Sequence, residues 1–421
     1  MTALFLTWVA LLGADRINLL GADSPFVLTP YLVLSPLVVL GEVARRIRTG
    51  RGLQLSRRTP TFCLLALALM SLAVSSVFVS RDLSSSAPRV AQLALMLGGA
   101  FAVAMAVQDR DDLGALFARG ARLGLLLYAL FDVAQLLAWL EIVPTSLPEQ
   151  QAMLQLSPDM YAGVVPRLSG MVMDSNRGGL LLVLFGYFVA AGDEDRARAW
   201  RWISLAAVLL LLTLSRSSML AAGGAIAMLL FEGHRVQLPR RLIASFATVV
   251  VAVSALLLTD PRVRGDAFSA IEPLRQRFTL LEGSSQDHVR LLDRGVATAT
   301  GSVSVALHGI GYGSSHLALQ DFFPGDRYGN FHSIYVGIFA EAGIFALLVL
   351  VLLMAVPLVG AGAHRPLVVA VALFGLFYGA LAEPAFWLAL VLAWLPPWTI
   401  TSRPKASASV TAMPNTAPST N

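Results

Sequence analysis

The sequence predicts an all-α fold, a polytopic transmembrane helical bundle of about twelve spans with a long outer loop that carries short helices of its own. Composition is the first ground for this. Of 421 residues, 56% are hydrophobic and 14% charged, whereas soluble domains carry about 25% charged residues. Block length is the second: the apolar residues fall in runs of roughly 18 to 25, enough for a helix to cross about 30 Å of hydrocarbon. The third is the placement of charge. The chain is basic, with a formal net charge of +5. Its arginines form short clusters between apolar runs, which is a topology signal and not a nucleic-acid surface. Only Lys405 of the 31 basic residues is a lysine, a composition bias.

Apolar runs can be placed at 2–22, 25–42, 61–80, 88–107, 121–140, 177–192, 202–215, 217–232, 242–259, 332–358, 366–382 and 385–400. Asp15 and Arg16 interrupt the first and read as a local ion pair at a helix end. That first run has no basic stretch ahead of it and no small-residue cleavage signal, so it is expected to stay as a span. Cys63, the single cysteine, lies in an apolar run, which excludes an internal disulfide and a cysteine-based zinc site. Residues 1–400 read as one integral membrane domain. The small, polar tail 401–421 reads as disordered and cytoplasmic.

Orientation follows from alternate loops. "ARRIRTGRGLQLSRR", "DRDDLGALFARGAR", "DEDRARAWR", "HRVQLPRR" and "AHRP" together hold sixteen arginines, and the short loops of the opposite set hold far fewer. The first set is expected in the cytoplasm, with both termini. The stretch 260–331 is too long for this rule, but the alternation places it outside. Between two of the cytoplasmic loops runs Trp202 to Phe231, interrupted by "SRSS". Thirty residues are too few for two full spans, which need about 40. A shallow out-and-back hairpin is expected, with Arg216 at its tip and facing outward; the alternative is one kinked span. An arginine at that depth marks a functional site by default.

Other unusual residues gather on the same side. "RLSGMVMDSNRGG" brings Arg167, Asp174, Asn176 and Arg177 to the start of a run, with Arg177 read as a flanking arginine that snorkels to the interface. In "SSQDHVRLLDRGVATATG" a helix would have Val289, Leu292, Val296 and Ala297 as its apolar stripe. Arg290 and Arg294 then stand one turn apart. Either Asp287 and Asp293 neutralise them in a surface network, or they clamp a phosphate, the geometry guanidinium suits. The alternating glycines of "ALHGIGYGSSH" lack the spacing of a dinucleotide site and read as a turn that brings backbone close to something. His308 and His316 lack a third metal ligand. His332 opens the run "GNFHSIYVGIFAEAGIFALL", with Glu341 further along it. An imidazole there can cap a helix or act as a general base.

These pieces, in this order, resemble the O-antigen ligase and polymerase family of bacterial membrane proteins. The matching residues are "RLSGMVMDSN", "LSRSSML", "RLLDRG", "HGIGYG" and "FHSIYVGIFAEAG", across residues 160–360. The last fits the family's pattern at His332, Ser333 and Gly343. Ala346 stands where the family often has a glycine or polar residue, which tips the reading from ligase toward polymerisation of a surface or exopolysaccharide. The resemblance implies transfer of a glycan from an undecaprenyl pyrophosphate carrier to an acceptor glycan at the periplasmic face of the inner membrane, with no cofactor. His332, Arg216 and Arg290 would be catalytic. Arg294, Arg167, Asn176, Ser215 and Glu341 would bind pyrophosphate or glycan. The partners implied are the lipid-linked donor, the acceptor glycan, the bilayer, and a flippase or chain-length regulator. No metal is expected, since no Asp-x-Asp motif for a nucleotide sugar is evident, and inversion at the sugar carbon is expected. The rival reading is a saccharide transporter or flippase. Transporters show related halves and midplane polar sites, whereas no internal repeat appears here and the polar residues gather on one side.

Overall fold

The computed structural model describes residues 1–20, 28–50, 52, 58–140, 142, 166–232, 283–325, 329–359, 364–379 and 381–396. The run at 242–259, most of the first half of the outer loop, and the tail at 401–421 lie outside them. Among the described residues there are helices and no strands. In order they are α1 Thr2–Ala10, α2 Pro30–Thr49, α3 Thr59–Val77, α4 Leu83–Val107, α5 Leu113–Trp139, α6 Ser175–Gly192 and α7 Arg196–Leu212. Then come α8 Arg216–Phe231, α9 Gly283–Ala299, α10 Val303–His308, α11 Ser315–Ala318, α12 Ile334–Val359, α13 Arg365–Gly375 and α14 Pro384–Trp394. Four of them, α3, α4, α5 and α12, are long and apolar enough to cross a membrane, and α8, α13 and α14 are shorter apolar helices. This is a multi-pass helical membrane architecture.

Local sequence sets the helix ends. Asp174, Asp195 and Asp82 cap α6, α7 and α4 by accepting backbone N–H bonds in the first turn. Prolines open α2 and α14, where the missing N–H costs nothing. Gly50 ends α2 in the left-handed conformation. The first apolar run behaves differently from the expectation for 2–22. Helix α1 stops at Ala10 after nine residues, roughly 13 Å of rise, which is too short to cross. Asp15 and Arg16 also turn away from a purely local pairing. Asp15 meets Arg177 at 2.6 Å, and Arg16 donates to the carbonyls of Gly170 and Val172, each at 3.0 Å.

The helices alternate in direction. Arg46 at the end of α2 reaches Asp109 beyond the end of α4, and Arg122 near the start of α5 reaches Asp193 beyond α6. Tyr187 late in α6 meets His364 just before α13, at 2.8 Å. These contacts define one end of the bundle. The opposite end, the loop end, holds 166–174, the start of α6, the α7–α8 turn, α9 to α11, the start of α12 and the α13–α14 connection. Helix α7 packs antiparallel to α6, so Ala206 lies by Gly186, and Leu210 and Ser218 lie by Gly179. Helix α8 then returns, because its last turn brings Glu232 to Arg365 at the other end. The chain therefore goes out and back across 202–231, and the single kinked span is excluded. The two limbs are splayed, each resting on α6.

The glycine-rich turn after α10 also has its partner. Gly309 has φ +76°, and a Cβ there would collide with the backbone of Glu341. Gly343 interrupts α12 with φ 85° and ψ 177°, and a Cβ there would strike the Leu307 carbonyl. The two backbones interlock: Ile310 N–H donates to Ala340 O at 2.9 Å and Gly311 N–H to Glu341 O at 3.0 Å. Only glycine has both the left-handed freedom and the missing side chain for such an approach.

Candidate functional site

At the loop end the sequence-derived residues fall into two clusters. The first is the α7–α8 turn. Leu214 has φ +51°, unusual for a non-glycine residue. Ser215 caps α8 by accepting from Ser218 N–H. Its hydroxyl donates to Asn176 Oδ1 at 2.9 Å, and the Ser218 hydroxyl donates to the Asn176 carbonyl at 2.9 Å. Arg167 is buried and donates to Asn176 Oδ1 and to the Thr213 carbonyl, at 3.3 and 3.2 Å. Arg216 follows as the first residue of α8, half-buried. Thus Arg167, Asn176, Ser215 and Arg216 meet, and three of them fix the turn that presents the fourth.

What holds Arg167 there is a clamp behind it. Gly170 N–H donates to Asp132 Oδ1 at 2.9 Å and Ser169 N–H to Gln135 Oε1 at 3.1 Å. Met173 N–H donates to Asp15 Oδ1 at 2.8 Å. Asp132 and Gln135 are buried polar residues within the apolar second half of α5. Their role is to supply hydrogen bonds to a backbone segment that has no regular structure of its own.

The second cluster surrounds His332. It too has a left-handed backbone, φ +52°, and its N–H donates to Asn330 Oδ1 at 2.9 Å. Its ring stacks on that of His288 from α9, with centroids 4.4 Å apart and planes at 23°. The Tyr378 ring meets it edgewise at 6.5 Å and 77°. Arg177 does not snorkel as expected. It is held inside the protein by Asp15 and Glu383, and burial pushes the Glu383 carboxyl up to about 7 against the pull of Arg177.

The α9 arginines are placed less tightly. Arg290 lies 3.6 Å from Asp287, and Arg294 donates to Asp321 at 3.0 Å and to the Ala318 carbonyl at 3.0 Å. Both are exposed, and Asp321 takes the part expected of Asp293. The buried stripe of α9 also differs from Val289, Leu292, Val296 and Ala297. Val289 and Val296 are exposed, while Leu291, Gly295 and Ala299 face α12. Gly295 decides this. It admits the Phe331 ring, to which a Cβ would come within 2.8 Å, so a small residue seats the helix roughly a quarter-turn round from the stripe that hydrophobicity alone selects.

Glu341 is not beside His332. It lies buried at the α12 break, where its carboxylate accepts from Ser315 N–H at 3.1 Å. His316 joins the same assembly, with its ring nitrogens 3.2 Å from Asp82 Oδ2 and 3.2 Å from the Gly313 carbonyl. The hydroxyls of Ser84 and Ser85 hold the Asp82 carboxyl well below the usual range. His308, whose Nδ1 lies 3.2 Å from the Ser304 carbonyl, stays within its own helix.

The fold and this end define a multi-pass helical membrane protein with arginines and a strained histidine at one face. Residues 202–351, from α7 through most of α12, match the family model described as O-antigen ligase. The match holds Ser215, Arg216, Arg290, Arg294, His332 and Glu341, so this stretch of the chain is similar to that family. No curated protein sequence matches the chain.

Proposed function

We propose that the protein transfers a saccharide from undecaprenyl pyrophosphate to an acceptor glycan at the periplasmic side of the inner membrane, with the loop end facing the periplasm and both termini in the cytoplasm. The acceptor hydroxyl oxygen attacks the anomeric carbon from the side opposite the leaving group. The bond from that carbon to the pyrophosphate oxygen breaks, its electron pair leaves on the pyrophosphate, and His332 takes the hydroxyl proton. Arg216, at a helix N-terminus where anions are favoured, and Arg290 stabilise the departing charge without a metal. Arg294, Arg167, Asn176 and Ser215 complete the anion and glycan site, and Glu341 acts through the loop it holds. A flippase supplies the donor from the other side of the membrane.

One observation carries this reading. Among the described residues, the non-glycine positions with left-handed backbone are Leu214 and His332. Each such position costs about 1–3 kcal/mol, and they present the arginine and the histidine that the transfer needs. Ala346, buried in α12, favours polymerase over ligase. A deletion strain profiled for glycans tests both levels. Single repeats accumulating on the carrier are expected. Long carrier-bound chains would make it a ligase, and unchanged glycans with retained cytoplasmic intermediates would make it a transporter.

The arginines of α9 give a second expected result. Arg290→Ala and Arg294→Ala should each raise the donor KM, and the double variant should fall short of additivity because one anion is shared. The checks are Asp287→Ala and Asp321→Ala. If they raise KM as much as the arginine changes, a surface ion-pair network accounts for these residues.

A further inference from the structure

His288 lies in the stretch "SSQDHVRLLDRGVATATG" without a role assigned there, yet its ring covers one face of the His332 imidazole. The placement is built. Counting along α9, His288, Leu291, Gly295 and Ala299 share one face. Leu291, Ala299, Leu319, Phe331 and Ala340 form a small apolar cluster separate from the main core, and Phe331 is the residue next to His332. That cluster fixes α9 on the first turns of α12, so the register of the two rings follows from packing. His332 sits on a left-handed backbone, with the His288 ring stacked on its imidazole and the Tyr378 ring meeting it edgewise. The helix that carries His288 also carries Arg290 and Arg294.

We infer that His288 is a positioning residue for acceptor activation: its imidazole stacks on His332 and holds that ring in the orientation from which it takes the acceptor proton. The inference rests on His332 being the base. A flat aromatic face does this work, and it also favours the imidazolium that forms when His332 accepts the proton. Because one helix presents both His288 and the α9 arginines, docking of α9 completes the base and the anion site together.

The test adds back purified full-length variants to membranes of the deletion strain, which hold the accumulated lipid-linked saccharide, and measures kcat and donor KM. His288→Ala should lower kcat about 10-fold through lost stacking and orientation, with donor KM unchanged. His288→Phe should restore most of kcat, since it keeps the face. In a His332→Ala background, His288→Ala should have no further effect. A wild-type rate for His288→Ala, a phenylalanine variant no better than alanine, or an undiminished effect without His332 would each overturn the stacking role. If His332→Ala itself turns over normally, the base assignment has failed, which is a separate result.

Discussion

Arg216→Ala is expected to abolish transfer while the protein still accumulates in the membrane. The loss should be at least the roughly 10²- to 10³-fold seen when a single charge-stabilising donor is removed from a preorganised site. Helix physics separates this from a folding defect. Arg216 is the first residue of α8, where a cation opposes the helix dipole by about 0.3–1 kcal/mol. Its removal should leave α8 no less stable. The Ser215 cap, the Asn176 bonds and the Arg167 bond to Thr213 do not need its side chain. Arg216→Lys should restore little, because an ammonium cannot offer the planar fork that two phosphate oxygens accept. The measurement is product formation normalised to membrane-embedded protein. Full activity in the alanine variant would remove Arg216 from the transfer site.

The parts of this site legible in the sequence are those with local causes. The α7–α8 reversal followed from two basic loops thirty residues apart, and the glycine turn followed from its alternation. The parts that were not legible depend on partners distant in the chain. Arg177 has the signature of an interfacial arginine until Asp15 and Glu383, from opposite ends of the sequence, enclose it. Asp132 and Gln135 in α5 carry no motif, and their purpose appears only when the backbone of 169–170 is laid against them. Helix α9 misleads for a related reason. Its hydrophobic stripe is real, but packing is decided by the space above Gly295, and hydrophobicity does not register space. His288 carries no hydrophobic signal of its own, and it lies on the face that the space above Gly295 turns inward.

His332→Ala should lower turnover by about 10² to 10⁴, the usual worth of general-base help, while the lipid-linked donor still binds. The backbone offers a control for this residue. At φ +52° alanine fits the left-handed region less well than histidine, whereas asparagine tolerates it as histidine does. His332→Asn should therefore keep the backbone turn better than alanine does and still turn over slowly. If asparagine restored the rate, the backbone turn would be what the reaction needs and the imidazole would be incidental. Glutamine distinguishes two roles of the ring. It should keep part of the activity if His332 orients the acceptor by hydrogen bonding, and none if it removes the proton. The pH profile gives the sign. A base works in its neutral form, so the wild-type rate should fall as the pH drops through the range where imidazole ionises, and the residual rate of the alanine variant should lack that limb. Donor binding separates this from the anion site, because His332 meets the acceptor: an alanine variant that binds donor weakly but converts bound donor at the normal rate would place His332 with the arginines instead.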